Sequence, residues 1–315
     1  MQLLLQSRGI PVPDEPCKSA ALLHPLDPET LARICALELH ARQIVDGYLT
    51  GMHRSPQHGF SVEFAQHREY VPGDDIRHID WKVWGRTERY FLKQYELETN
   101  LVCWLLVDAS DSMRYASGDI SKYDYACRTA AALGYLVARQ SDSVGLATFD
   151  NQVRGFLRPA SQPSHLKDML RILVGGPSQE QSRIGGVLHD AAERFARRGV
   201  VLIFSDLFDE PDEVLEGLKH LRYLRHDVVV FHVMDPAEHE FPFRQATMFR
   251  GLEQWPELLT DPLGVRMGYL DELRKFLDEI ERGCRLHDID YVSMRTDRDL
   301  GIALAEYLGK RATRV

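Results

Sequence analysis

From residue 101 onward, short apolar runs alternate with longer segments in which apolar residues recur at helical spacing. The apolar runs have the length of strands and read, in chain order, LVCWLLV, SVGLATF, VVLIFSD, HDVVVFHV and IDYVSM. Segments such as KYDYACRTAAALGYLVARQ and PDEVLEGLKHLRYLR separate them. Strands that alternate with helices of this length predict a mostly parallel sheet covered by helices on both faces. The predicted fold class is therefore a doubly wound α/β domain.

The pattern changes at about residue 100, which predicts two parts. Upstream, DPETLARICALELHARQIV predicts a packed helix, because an apolar stripe runs along it through Leu31, Ile34, Leu37, Ala41 and Ile44. Strand-like alternation follows and is broken by the turn signal P-G-D-D at 72–75. We expect a smaller N-terminal helix-plus-strand segment over 1–99 and the α/β domain over 100–315. Near 238–269, Pro and Gly interrupt the α/β rhythm. This interruption predicts an insertion that holds a small antiparallel meander.

Composition and charge narrow the classes of function. The chain of 315 residues is 44% hydrophobic and 27% charged, which is enough to bury a substantial core. Its net charge of −9 argues against non-specific binding of nucleic acid or an anionic membrane. The five cysteines are scattered and show no C-x-x-C spacing, so they suggest neither a disulfide framework nor a zinc site, and we expect reduced thiols. With neither a signal-peptide pattern nor about 18 consecutive apolar residues, we expect a cytoplasmic protein without an integral membrane segment.

Oxygen-bearing side chains follow two of the predicted strands. The first strand stops at Asp108, with hydroxyls after it at Ser110 and Ser112, and a later strand ends at Asp206. Ser182 precedes a predicted helix, where its hydroxyl can either cap the helix or ligate a metal. Ligand crevices of open α/β sheets lie beyond the carboxyl ends of strands, and hard cations prefer oxygen ligands. These five residues therefore predict a Mg²⁺ site, with Mn²⁺ as an alternative occupant. The competing interpretation of D-A-S-D-S is a turn that bonds only its own backbone.

This set of residues resembles the metal-ion-dependent adhesion site of the von Willebrand factor A domain. In that family two serines and a threonine ligate Mg²⁺ directly, two acids act largely through water, and a carboxylate of the partner completes the shell. The resemblance implies that Ser110 and Ser112 are direct ligands and that Asp108 and Asp206 are outer acids. Ser182 would take the place of the threonine, a departure that keeps the hydroxyl.

A longer stretch, residues 59–113, resembles the signature of domain-of-unknown-function family 58, whose members are bacterial proteins with a von Willebrand A-like domain. The resemblance is carried by the order and spacing of Arg68, Glu69, Tyr70, Pro72, Gly73, Asp74, Asp75, Arg77, Ile79, Asp80, Trp81 and Arg86. Such proteins are typically associated with MoxR-type AAA+ ATPases in chaperone-like assembly or cofactor insertion. The resemblance thus implies an ATPase and a client protein as partners.

The P-G-D-D-I-R-H-I-D-W segment has two interpretations. It can form a docking surface for a partner, because aromatic and arginine side chains dominate binding energy at interfaces. Candidates for this role are Asp74, Asp75, Arg77, Trp81 and Trp84. Alternatively, its arginines and acids pair internally and hold the segment onto the α/β domain. The sequence leaves both interpretations open.

The motifs favour a binding protein over an enzyme. The chain lacks the glycine-rich phosphate loop, the G-x-S-x-G elbow and the dinucleotide fingerprint, and its 13 histidines are dispersed. We predict a metal-dependent adaptor in which a partner carboxylate completes the Mg²⁺ shell. Two alternatives stay open: a Mg²⁺-dependent phosphate-ester hydrolase and a metal-free structural scaffold. The hydrolase is disfavoured because Ser110 stands where haloacid-dehalogenase-like enzymes have a second Asp.

Overall fold

The computed structural model describes residues 28–51, 64–69, 81–87, 89–95 and 101–312, the last range with gaps at 179, 181, 196, 246 and 250–257. The chain divides into two compact units. The larger unit contains helix α1 (Pro28–Gly51) together with the chain from Val102 onward. The smaller unit contains the elements described between residues 64 and 95.

The smaller unit consists, in its described part, of two strands and a short helix. Strand β1 (Phe64–Glu69) pairs with strand β2 (Phe91–Tyr95) in antiparallel fashion. Helix α2 (Trp81–Thr87) lies between them in sequence. The Thr87 hydroxyl donates a hydrogen bond of 2.9 Å to the Val83 carbonyl in the last turn of α2.

The larger unit is built on a six-stranded sheet. Its strands are β3 (Val102–Asp108), β4 (Ser143–Phe149), β5 (Val153–Ala160), β6 (Val200–Ser205), β7 (Asp227–Met234) and β10 (Asp290–Arg295). Their spatial order is β10-β7-β6-β3-β4-β5, and all neighbours are parallel except the edge pair β4 and β5. Central strand β3 is buried along its whole length, as expected for a strand covered on both faces.

Helices cover both faces of this sheet. They are α3 (Lys122–Arg139), α4 (Pro163–Val174), α5 (Ile184–Arg194), α6 (Pro211–Tyr223), α7 (Pro236–Glu240), α8 (Pro262–Leu286) and α9 (Leu300–Ala312). Side chains alternate along a strand, so Leu105 of β3 packs into one apolar cluster with α1, α3, α4 and α9. Its neighbour Leu106 packs into a second cluster with α5, α6 and α8. The predicted doubly wound, mostly parallel α/β fold is confirmed, and it is compatible with a von Willebrand A-like arrangement.

Two further features bear on the predicted division of the chain. Helix α1 packs against α3, α4 and α9 of the α/β unit through buried Ile34, Ala41 and Val45, although the sequence pattern grouped it with the segment 1–99. Strands β8 (Thr247–Phe249) and β9 (Leu258–Thr260) pair in antiparallel fashion within the interrupted stretch near 238–269. Within the described residues, no helix combines the length and apolar character needed to cross a bilayer.

Candidate metal centre

Four neighbouring parallel strands of the sheet each lead directly into a buried aspartate. Asp108 ends β3, and Asp150, Asp206 and Asp235 follow β4, β6 and β7. After β3 the chain forms β4 on one side of β3, and it later forms β6 on the opposite side of β3. The direction in which successive strands are added to the sheet therefore reverses at β3. The crevice at such a reversal is where open α/β sheets bind ligands. Asp108 and Asp206 flank it.

Hydroxyl groups from three loops surround the Asp108 carboxylate. Its Oδ1 accepts a hydrogen bond of 2.9 Å from the Ser110 amide, which shapes the turn after β3. Its Oδ2 accepts hydrogen bonds from the hydroxyls of Ser205, at 2.6 Å, and Ser182, at 3.5 Å. The Oγ atoms of Ser110 and Ser112 lie 3.1 Å apart. One carboxylate and several hydroxyls are therefore gathered at one point.

Backbone hydrogen bonds hold the loop that carries Ser182 against the turn after β3. The Ser178 amide donates to the Ala109 carbonyl at 2.6 Å, and the Asp111 amide donates to the Glu180 carbonyl at 3.1 Å. Helix α5 begins two residues after Ser182, so the serine is held between a clamped loop and a packed helix. Its side chain reaches Asp108 although 74 residues separate the two in sequence.

Asp206 is engaged by a buried lysine that the sequence analysis did not identify. The Nζ atom of Lys122 lies 2.7 Å from Oδ2 of Asp206 and 2.6 Å from Oε1 of Glu238. All three side chains are fully buried. The other oxygen of Asp206 accepts a hydrogen bond of 3.3 Å from the Phe208 amide. The second carboxylate oxygen of Glu238, Oε2, accepts a hydrogen bond of 2.7 Å from the Asp235 amide, where a capping box begins α7.

Burial controls the protonation of these groups. It raises the pKa of Asp108 to about 7, with a further contribution from the charge of Asp206, while hydrogen bonds from Ser205 and Ser110 act in the opposite direction. Burial also raises the pKa of Glu238 to about 7 against the lowering effect of Lys122. Burial lowers the pKa of the Lys122 ammonium, but the adjacent Asp206 and Glu238 together outweigh it and raise that pKa.

The donor set around Asp108 fits a hard divalent cation. Asp108, Ser110, Ser112 and Ser182 are brought together and offer oxygen donors only, the kind that Mg²⁺ selects. Asp206 stands at the neighbouring strand end with both oxygens already engaged, which suits an outer role through water. In the described part of the chain, no three His, Cys, Asp or Glu side chains group as metal ligands. Any site here would therefore depend on serine hydroxyls.

The proposed docking residues fall in the smaller unit or outside the described residues. Asp74, Asp75 and Arg77 lie outside them. Trp81 and Trp84 lie on α2 and are 60% and 40% exposed, with their rings edge to face at 6.2 Å. Trp84 also stacks on Tyr90 at 6.2 Å. Two exposed indoles are thus available on this helix, and their role in docking stays a prediction.

Sequence reasoning missed three residues of the site, two of which carried a usable signal. Ser205 directly precedes Asp206, so its hydroxyl belongs to the same strand-end pattern that identified the aspartate. Glu238 completes D-P-A-E after an apolar run, the pattern of a capping box at a helix start. Lys122 gave no signal, because lysine at the beginning of a helix is ordinarily exposed.

Comparisons with known proteins place these residues in a family context. Residues 66–273 match the family described as "Protein of unknown function DUF58". The chain is 28% identical over 309 residues to "Uncharacterized protein Rv1480" of Mycobacterium tuberculosis, covering 93% of this chain and 96% of the relative. The same values hold for "Uncharacterized protein Mb1516" of Mycobacterium bovis.

Two solved structures that align with part of this chain come from Bacteroides species. The conserved hypothetical protein BatB of Bacteroides thetaiotaomicron aligns with a TM-score of 0.46 at 19% identity, over 68% of this chain and 99% of that one. An aerotolerance-related membrane protein of Bacteroides fragilis aligns with a TM-score of 0.41 at 14% identity, over 68% of this chain and 100% of that one.

Proposed function

This chain belongs to the family of proteins of unknown function DUF58, and we propose that it is a metal-dependent protein-binding adaptor. In this proposal a divalent cation, Mg²⁺ or Mn²⁺, is held beside Asp108, and an acidic side chain of a partner completes its coordination. The observation that carries the proposal is the convergence of the Asp108 carboxylate with the hydroxyls of Ser110, Ser112 and Ser182 at the strand-order reversal.

The balance of buried charge supports a cation at this point. Asp108, Asp206 and Glu238 are fully buried carboxylates, and Lys122 is the buried ammonium beside two of them. A buried carboxylate without a cation beside it either takes up a proton or coordinates a metal. The Lys122 ammonium contacts Asp206 and Glu238, whereas the hydrogen bonds to Asp108 come from hydroxyls and an amide. A dication beside Asp108 would compensate it.

A von Willebrand A-like adhesion site explains why a partner carboxylate is the expected ligand. In this arrangement Ser110, Ser112 and Ser182 would ligate the ion, while Asp108 and Asp206 would act through water. The family resemblance supports a MoxR-type AAA+ ATPase and a client protein as partners in chaperone-like assembly. The scattered cysteines favour a cytoplasmic setting for this activity.

The contacts of Lys122 favour the adaptor over a phosphate-ester hydrolase. Phosphoryl-transfer sites use a lysine as a point charge on the phosphate group. Lys122 lies near the strand-end acids but is fully buried, and its ammonium contacts two carboxylates at 2.7 and 2.6 Å. It is therefore committed to protein side chains and is not available to a phosphate.

Thermal unfolding under Mg²⁺ titration tests the metal. A ligand that binds only the folded state raises the melting temperature, and Asp108→Asn should abolish that rise. Asp111→Asn is the matched control, because Asp111 lies in the same turn but pairs with Arg114 at 3.0 Å. Mg²⁺ should stabilise the wild type and the Asp111 variant alike. Equal curves with Mg²⁺ and with a chelator would instead favour the metal-free scaffold.

Binding to a purified MoxR-type ATPase of the same host tests the adaptor role. Binding should require Mg²⁺ or Mn²⁺, and both chelation and Asp108→Asn should abolish it, whereas Asp111→Asn should retain it. Metal-dependent hydrolysis of a generic phosphate ester, lost in the Asp108 variant, would replace the adaptor by the hydrolase. Binding of the ATPase that is unchanged by a chelator would contradict the proposed mechanism.

A further inference from the structure

A second pocket opens at the amino-terminal edge of the sheet, away from Asp108. It has a volume of about 730 Å³ and is lined by the first residues of β3 and β4, Val102 and Ser143, and by side chains of β5 and of the α5 end. Pockets for small ligands have volumes of roughly 300–1,000 Å³. The pocket therefore has room for a small molecule, and it shares no residue with the candidate metal centre.

An aromatic stack forms one side of this pocket. The Trp104 ring stacks on Phe195 with centroids 4.0 Å apart and on Phe156 with centroids 5.4 Å apart. Gly145 is the register partner of Trp104 on β4, and a Cβ there would lie 2.7 Å from the indole ring. The strand thus makes room for the indole. Phe156 is 38% exposed, so a planar ligand ring can extend the stack.

The indole N–H of Trp104 is a buried donor without an acceptor. Trp104 lines the pocket and is only 4% exposed, and its Nε1 has no hydrogen-bond partner among the described residues. Buried tryptophan N–H groups usually have a partner, because an unsatisfied donor retains its desolvation cost. The Nε1 atom has less than 1 Å² of accessible surface, so this N–H is enclosed by the protein and a ligand in the pocket does not reach it.

Three arginines on this pocket give it a positive charge. Among the described residues, Arg158, Arg194 and Arg197 line it and no acidic side chain does. Within the described residues none of the three forms an ion pair or a hydrogen bond. Arg194 lies in the last turn of α5, where a cation also offsets the helix dipole, but Arg158 and Arg197 have no such explanation. In a chain of net charge −9, this cluster points to an anionic ligand.

We propose that this pocket binds a phosphorylated aromatic small molecule of the nucleoside monophosphate type. The planar ring would stack on the exposed ring of Phe156. The phosphate would contact the guanidinium groups, whose fork geometry matches phosphate oxygens. A dianionic phosphate matches three arginines better than a carboxylate does. This site is independent of the metal centre and of the adaptor role.

Isothermal titration of the full chain with AMP, in the presence of a chelator, tests the site without any contribution from the metal centre. AMP should bind with one-to-one stoichiometry, and adenosine and inorganic phosphate should each bind more weakly. The double variant Arg158→Gln/Arg197→Gln should weaken AMP binding by roughly tenfold for each arginine. Phe156→Ala, which removes the exposed ring, should weaken it by about tenfold.

Arg198→Gln is the matched control, because Arg198 is exposed beside Arg197 but does not line the pocket. It should bind AMP as the wild type does. Absence of AMP binding at millimolar concentration would overturn the proposal, as would equal affinity of the double variant and the Arg198 variant. Phosphate binding as tightly as AMP would overturn the aromatic part of the assignment.

Discussion

Lys122 neutralises the buried acidic side chains beside the candidate site. Its ammonium lies 2.7 Å from Asp206 and 2.6 Å from Glu238, and no part of the side chain is exposed. Desolvation of such a charge is costly, and the attraction to its partners offsets that cost only while every partner is present. Removing the ammonium would leave Asp206 and Glu238 as two uncompensated acids in the protein interior.

Lys122→Met should therefore lower the free energy of unfolding by about 3–5 kcal/mol. Lys219→Met is the comparison: Lys219 pairs with Glu216 at 2.6 Å on the surface, and loss of such a pair costs less than about 1 kcal/mol. Urea denaturation of both variants measures the difference. Similar denaturation midpoints for the two variants would show that the burial of Asp206 and Glu238 does not require the Lys122 ammonium.

The residues of the site differ in how far the sequence revealed them. Asp108 and Asp206 could be identified because an apolar strand must end at the edge of its sheet, and the residue after it then faces the crevice. Ser182 was grouped with them from its place before a predicted helix, but its contact with Asp108 was not predictable from the pattern, since contact between distant loops depends on the folded topology. Lys122 was missed because its burial depends on two acids that lie 84 and 116 residues away in sequence, one after β6 and one in α7.

At the scale of elements, two glycines allow helices α5 and α6 to pack closely behind the Ser182 loop. A Cβ on Gly185 would lie 2.7 Å from the Glu213 carbonyl oxygen, and one on Gly217 would lie 2.8 Å from the Leu188 Cβ. Distances below 3.0 Å require the helices to separate. The next residue, Gly186, has open space around its Cβ position. The two consecutive glycines of α5 therefore have different roles.

Gly185→Ala should destabilise the protein by about 1–3 kcal/mol, because an added methyl group forces the α5 and α6 backbones apart. Gly186→Ala should be neutral or stabilising by up to about 1 kcal/mol, since alanine is the better helix former. Thermal unfolding of the two variants compares a one-carbon addition at adjacent positions. Equal destabilisation of both would contradict the close contact between the helices.

The sequence predicted the elements better than their contacts. Apolar runs and helical spacing identified β3, β6 and α6, because burial on a sheet or under a helix produces those periods directly. The same pattern in I-G-G-V-L indicates a helix but cannot tell which glycine faces a neighbour. That information lies in the crossing of α5 with α6, which requires the three-dimensional structure.

At the scale of the whole molecule, helix α1 belongs to the α/β unit although residues 52–101 separate it in sequence from β3. Its apolar stripe predicted a packed helix, and Ile34 and Ala41 of that stripe are buried, with Leu37 and Ile44 packed against the same cluster. A stripe shows that a surface is covered but does not identify what covers it. The contact with α3, α4 and α9 was therefore beyond the sequence pattern, which grouped α1 with its neighbours in sequence.

This packing predicts that the α/β unit depends on α1 for its stability. Ala41 is 1% exposed and Leu39, on the same helix, is 56% exposed. Ala41→Asp should destabilise the larger unit by at least about 3 kcal/mol, because it places an unpaired carboxylate among apolar side chains. Leu39→Asp should change the stability by no more than about 0.5 kcal/mol. Hydrogen exchange of the α3 and α4 amides measures this effect. Faster exchange in the Ala41 variant, but not in the Leu39 variant, supports a single cooperative unit. Unchanged protection in both variants would mean that the sheet and its helices remain folded without α1.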